Sequence, residues 1–239
     1  MSGPDGSGGL LAVTLGDPDG VGPEIILKAW MALRDSGPAF AVHADPARLQ
    51  PAAEQLNAPR PEPVSDASAA RATFQDALPV FALPDSASAP GAALASIEAA
   101  VAAALNGEAD AVVTAPVSKA RLYDEGFAFP GHTEFLAHLC ADVPMHGARG
   151  PVMMLAGPEL RAALVTIHLS LRDALDQVTV DAIVHAGRVT AQALARDFGL
   201  RRPRLAVAGL NPHAGENGAL GREEIEIVSP AIQSLCEDG

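Results

Sequence analysis

Two histidines in this sequence occupy positions where imidazole chemistry is available. His213 lies in Gly209–Gly221 (GLNPHAGENGALG), a Gly/Asn/Pro-rich turn between the apolar run Leu205–Ala208, which reads as a buried strand, and Arg222–Val228, which reads as a helix start. His168 ends a second apolar run, Leu164–His168 (LVTIH). Turns at strand ends carry working side chains in α/β proteins, and neutral imidazole ligates Zn, Co and similar divalent cations. A catalytic metal site takes about three protein ligands and one open position. No third ligand announces itself by spacing, so the alternative of two separate core or loop histidines stays open.

Three other stretches carry polar groups at element ends. Phe129–Leu136 (FPGHTEFL) places His132 and Thr133 ahead of an amphipathic helix. There they read either as a plain N-cap or as an imidazole and a hydroxyl offered to an anion at a positive helix end. Lys119 closes Val113–Lys119 (VTAPVSK) and could meet a substrate anion, although a solvated lysine on the next helix explains it as well. Gly16–Gly22 (GDPDGVG) follows a strand and precedes Pro23, a residue suited to a first helical turn. Strand, glycine loop and helix resemble a phosphate cradle. The spacing is neither GxGxxG nor a GK[ST] loop, and a strained turn at the sheet edge fits equally. A GxSxG elbow and an HExxH zinc motif are both absent, which leaves metal-assisted chemistry on a small anionic substrate as the main enzyme reading.

The elements that must position these groups alternate. Strand-like runs at Leu10–Leu15, Ala39–His43, Leu78–Leu83, Asp110–Thr114, Pro151–Ala156 and Arg161–Ile167 are separated by helical patterns, among them Gly91–Leu105 with Leu94, Ile97, Val101 and Leu105 at 3–4 spacing. This predicts an α/β fold with a largely parallel sheet and one antiparallel hairpin in the second half. The composition break near Gly126–Gly131 divides the chain into a first α/β domain, 1–128, and a second, 129–239, that carries the histidines. With 239 residues, 49 % hydrophobic and 19 % charged, the chain can bury a sizeable core. Its net charge of −13 argues against nucleic acid as a partner, while leaving room for a local basic pocket. Cys140 and Cys236 are isolated, as expected in a reducing cytoplasm. No apolar run is long enough to span a membrane, and Met1–Gly9 reads as a loose Gly/Ser-rich leader.

Five blocks then resemble one family: Gly16–Glu24 (GDPDGVGPE), Val113–Lys119 (VTAPVSK), Pro130–Glu134 (PGHTE), Val152–Leu155 (VMML) and Gly209–Glu216 (GLNPHAGE). They look like the 4-hydroxythreonine-4-phosphate dehydrogenases of pyridoxal phosphate biosynthesis, and they run in the same order over nearly the whole chain. Asp19 stands where that family more often has Ala. The resemblance implies an isocitrate/isopropylmalate dehydrogenase-like two-domain α/β/α fold and a homodimer with active sites at the subunit interface. It also implies NAD- or NADP-dependent oxidation of a small phosphorylated hydroxy amino acid, followed by loss of CO₂, with a divalent cation (Zn, Mg or Co) in the site. Carried over by motif, His132 and Thr133 bind substrate, and His168 and His213 bind the metal. Neither cofactor-binding residues nor a separate catalytic group is assigned.

The family pattern continues beyond the point where this chain stops, at Cys236–Gly239. The resemblance implies that a third metal-binding histidine, further substrate-binding Lys, Asn and Arg residues and much of the dinucleotide site belong to that continuation. The expectation is therefore a truncated member whose 239 residues alone turn over no substrate. Two variants stay open: a paralogue acting on a related phosphorylated hydroxy acid of the phospho-threonate type, and a non-catalytic remnant that still binds ligand.

Overall fold

Leu10–Leu15 is apolar without alternation, as a strand covered on both faces must be. In the computed structural model, which describes residues 9–238, it forms β1 (Leu11–Thr14), next to the centre of a parallel sheet. All but the last residue of the expected leader lies outside the described residues. β1 pairs with β2 (Phe40–Ala44) and β5 (Ala111–Val113), in registers Thr14↔His43 and Val13↔Val113. With β3 (Glu62–Pro63) and β4 (Pro79–Ala82) the sheet order is β3-β4-β2-β1-β5, every pair parallel. The chain is thus an α/β protein with a mostly parallel central sheet, as the alternating pattern predicts.

Parity along the strands sorts the core into two layers. Val13, Leu15, Phe40, Val42 and Val80 point to α1 (Gly22–Leu33) and α2 (Gln50–Gln55), meeting Ile26, Leu27, Trp30 and Ala53. Trp30 is fully buried, and its indole N–H donates to Phe74 O at 2.7 Å, which satisfies the one polar atom of a large apolar ring. The opposite parity, Ala12 and Ala41, lies under α3 (Ala67–Thr73) and α4 (Ala89–Leu105), against Ala70 and Ala100. Small residues on both sides let α4 lie close to the sheet. α3 falls in a Pro-, Ser- and Ala-rich stretch between β3 and β4. Its signal was Asp66, whose carboxylate accepts from Ser68 N and Ala69 N, both at 2.9 Å.

The first compact unit ends at His132 and a second begins at Thr133. The second holds the expected antiparallel hairpin, β6 (Met154–Ala156) with β7 (Arg161–Ala163). It also holds α7 (Leu171–Gln177), capped by Ser170, and α8 (Val180–Arg196), capped by Thr179. α9 (Ser229–Glu237) follows a π-helical turn, Glu224–Val228. Pro230 explains the wide turn, since its ring has no N–H to give and would crowd the carbonyl four residues back. Ile183 and Val184 of α8 pack on Val228 and Ala231. One element is corrected: Leu205–Ala208 is not a buried strand but an irregular segment with Leu205 exposed. Among the described residues no strand lies beside it to take its backbone groups, and an apolar run without a ladder partner has no reason to be a strand. No helix among the described residues is long and apolar enough to cross a membrane.

His43, the penultimate residue of β2, lies on the α3/α4 side, stacked on Phe81 at 4.9 Å, with Nε2 buried and without a hydrogen-bond partner among the described residues. Burial lowers its pKa from 6.5 to about 4. Above about pH 6.5 the imidazole is neutral whether the chain is folded or unfolded. Between 6.5 and 4 the unfolded chain takes up a proton that the folded one refuses, so stability falls with pH; below about 4 this contribution stops changing. His43→Phe, which keeps the stacking, is expected to leave stability near neutrality within about 1 kcal/mol and to remove up to about 3 kcal/mol of the acid loss. Urea unfolding of both proteins at pH 7 and pH 4.5 checks this, and parallel losses would refute it.

Candidate active site

Where parallel strands end, their backbone groups lose ladder partners while still buried, and this chain satisfies them with side chains and loops. Ala115 N donates to the buried Thr14 Oγ1 at 3.0 Å, and Asp17 N donates to Pro116 O at 2.8 Å. The loops leaving β1 and β5 are thereby stitched together. Gly16 is required at the seam: its φ is +70°, and a Cβ there would stand 2.6 Å from Pro116 O. Arg121 Nη1 adds ion pairs to Asp17 Oδ1 at 3.1 Å and Asp19 Oδ2 at 2.9 Å, tying the same loop to α5 (Lys119–Asp124). Asp19, singled out in the sequence only as a departure from the family pattern, is half of that tie. The Gly16–Gly22 loop is therefore a built turn with its own anchors, and no phosphate cradle needs to be invoked for its shape.

α5 begins at Lys119, and α6 (His132–Leu139) begins at His132. His132 and Thr133 thus stand inside the first turn of their helix, not ahead of it as expected. A cleft of about 210 Å³ brings Lys119 and His132 together, with Pro116, Val117, Leu122 and Phe127 among its walls. His132 is half-buried, and its Nε2 has no hydrogen-bond partner among the described residues. Burial first, and the Lys119 charge second, lower its pKa, so at neutral pH it is an uncharged imidazole that can both donate and accept.

The other two histidines lie in the second unit, both exposed and both in left-handed backbone conformation: His168 with φ +56° and His213 with φ +51°. Left-handed non-glycine residues are uncommon, and here they include both histidines the sequence marks for chemistry. His213 opens a run of five left-handed residues, His213–Asn217. At about 1–2 kcal/mol per non-glycine residue, such a run must be held from outside. Glu224, 8 % exposed, anchors the residues that lead into it. Its Oε1 accepts from Leu210 N at 2.8 Å and Asn211 N at 2.6 Å, and its Oε2 from Asn211 Nδ2 at 2.9 Å. These bonds, the Asn211 side chain foremost, lower the Glu224 pKa. Gly215, φ +78°, leaves room for that carboxylate, since a Cβ would lie 2.8 Å from Oε2. Sequence reasoning passed over Glu224; the available signal was an acidic residue at a helix start directly after a glycine-rich turn.

No group of three or more His, Cys, Asp or Glu that could hold a metal ion exists among the described residues. Two imidazoles on exposed corners are suitable donors for a divalent d-block cation, but as members of a ligand set, not as a complete one.

The family described as pyridoxal phosphate biosynthetic protein PdxA matches residues 37–239. The chain belongs to the PdxA family. A 4-hydroxythreonine-4-phosphate dehydrogenase of Caulobacter vibrioides is 52 % identical over 234 residues, which are 94 % of this chain and 69 % of that protein. One of Maricaulis maris is 48 % identical, over 96 % of this chain and 71 % of that protein. Among solved structures, the 4-hydroxythreonine-4-phosphate dehydrogenase of Klebsiella pneumoniae superposes with a TM-score of 0.83 at 36 % identity, covering 97 % of this chain and 73 % of that one. The PdxA fold is thus shared along nearly all of this chain.

Replacing Glu224 by Gln puts an amide N–H₂ among three N–H donors and strands at least one of them. Hydrogen exchange at Leu210 and Asn211 is expected to quicken about 10- to 100-fold, as loss of a buried charge-assisted acceptor implies, with the first unit unchanged. Unaltered exchange at those amides would show that the turn is held by something else.

Proposed function

We propose that the chain supplies the substrate- and metal-binding histidines of a 4-hydroxythreonine-4-phosphate dehydrogenase, acting with NAD or NADP in the supply of pyridoxal phosphate. The observation that carries this reading is the agreement, over 94 % of the chain, with a relative of that name. The left-handed corners of His168 and His213 support their assignment as metal ligands, because strained backbone persists where the surrounding structure over-determines it and is concentrated at functional sites. The cleft at His132 supports its assignment, together with the adjoining Thr133, as substrate-binding.

The reaction in this reading is oxidation of the secondary alcohol, for which a bound nicotinamide would supply the hydride acceptor while the hydroxyl proton leaves. The β-keto acid then breaks its bond to the carboxylate, releasing CO₂. The electron pair passes into the neighbouring carbonyl, and reprotonation at carbon yields 3-amino-2-oxopropyl phosphate. A bound divalent cation would supply Lewis-acid polarisation of the reacting oxygen. The chain's own part is to orient. His168 and His213 offer imidazole nitrogens from corners with left-handed backbone. His132, kept neutral, and the Thr133 hydroxyl offer hydrogen bonds to substrate oxygens at a helix N-terminus. A homodimer is part of the same proposal. Exposed large apolar side chains gather in the second unit, Leu155, Leu160, Leu171 and Leu175 among them, as a surface covered by a second copy would have.

Cobalt(II) titration followed by visible absorption tests the metal assignment directly. His213→Ala and His168→Ala are each expected to weaken binding at least about tenfold, the effect of losing one imidazole from a small ligand set, whereas His185→Ala should not. In a chain extended to the length of its relatives, His213→Ala is expected to abolish metal-dependent NADH formation. Full activity in that variant would remove His213 from the site.

A further inference from the structure

The direction of the chain changes at β1. From β1 the path goes through α1 to β2 on one side, while β5, on the other side, is reached from β4 through α4. The loops leaving β1 and β5 therefore part company at the carboxyl ends of two neighbouring parallel strands, and crevices at such switch points receive ligands in open α/β sheets. Here the crevice is rigidly framed. Thr14 and Asp17 bind the backbone of Ala115 and Pro116, and that backbone delivers Lys119 three residues later as the first residue of α5.

The cleft at this point is selective by composition. Of its side chains only Lys119 and His132 are polar, set against Pro116, Val117, Leu122 and Phe127. At about 210 Å³ it is smaller than the sites of roughly 300–1,000 Å³ that enclose drug-sized ligands, so it suits one end of a small molecule. The nearby acids do not neutralise it: Asp17 and Asp19 are engaged by Arg121, and no carboxylate among the described residues pairs with Lys119. A chain of net charge −13 thus keeps an apolar-walled cleft whose ammonium and neutral imidazole have no carboxylate or hydrogen-bond partner among the described residues. That combination attracts a small oxyanion and then fixes it, the ammonium by charge and the imidazole by a directed hydrogen bond.

We propose that Lys119 is a substrate-binding residue, forming with His132 at the β1/β5 switch point an oxyanion subsite for the phosphate or carboxylate end of the substrate. The proposal rests on the reading of the chain as a phospho-hydroxythreonine dehydrogenase, and it adds a cation to the binding set from the first unit. Lys119 is exposed at a helix start, so its replacement leaves the fold intact.

The test is histidine-resolved NMR of the full chain titrated separately with inorganic phosphate, acetate and 4-hydroxythreonine-4-phosphate, in wild type, Lys119→Gln and Lys119→Arg. The His132 resonance is expected to move with the phosphorylated substrate and with at least one small anion. The tighter of phosphate and acetate identifies the end that is bound. Lys119→Gln is expected to weaken these shifts on the order of tenfold, the loss of one charge-assisted contact, and Lys119→Arg to restore most of them. If the substrate binds with equal affinity to Lys119→Gln, or moves His168 and His213 but not His132, the subsite is refuted and the dehydrogenase reading stands. If small anions move His132 in a Lys119-dependent way and the phosphorylated substrate does not compete, the subsite stands and the assigned substrate falls.

Discussion

At the carboxyl edge of the central sheet, buried backbone groups outnumber the ladder partners left for them, and one hydroxyl resolves much of the conflict. Ser96 Oγ, on the sheet side of α4, accepts from Leu15 N at 2.7 Å and donates to His43 O, closing β1 and β2 just where their pairing stops. Thr14 Oγ1 accepts from Ala115 N and so joins β1 to the loop after β5. An unsatisfied buried amide costs about 1–3 kcal/mol, so these contacts decide whether the strands can end in the interior at all. Because they do, three loops leave the sheet at one rigid rim. The alanines along α4 follow from the same requirement: only small side chains let Ser96 come within hydrogen-bonding distance of two strands.

The second unit solves a different problem with a similar device. Its candidate ligand His213 sits in a left-handed run that the backbone by itself disfavours, and a carboxylate from the following helical turn anchors Leu210 and Asn211, the residues that lead into it. Glu224 must stay ionised to accept three bonds, and those same bonds keep its pKa low, so the arrangement reinforces itself near neutral pH. The π-helical turn that begins at Glu224 belongs to this arrangement. Pro230 forbids a regular α-turn there, and the widened segment carries the carboxylate that reaches back to Asn211.

Much of this was legible in the residues. The strands β1, β2, β4 and β5, the hairpin and the family itself follow from apolar runs, turn chemistry and five short blocks. What was not legible has specific causes. Leu205–Ala208 has the composition of a strand, but strandedness belongs to a pair and the run does not encode its partner. α3 was obscured by Pro- and Ser-rich flanks, although Asp66 marked its start. Lys119 looked like any solvated lysine, because its meaning depends on His132, thirteen residues away, sharing its cleft, and on Arg121 occupying the acids that would otherwise neutralise it. Asp19 was visible only as an oddity until Arg121 gave it a partner.

That last pair changes how the acidic composition is to be understood. A net charge of −13 raises the cost of bringing any anion to the surface, so an anionic substrate needs a place where the general field is locally reversed. Adding lysines alone would not achieve this, since abundant carboxylates would pair with them. Asp17 and Asp19 lie on the loop bonded to the Pro116 backbone at the cleft wall. Arg121, two residues beyond Lys119 on α5, takes both, and in doing so also fastens the loop whose backbone frames the site. An exposed ion pair of this kind adds little to stability. Its physical consequence lies in the charge it removes from competition, leaving an ammonium and a neutral imidazole facing the same small space.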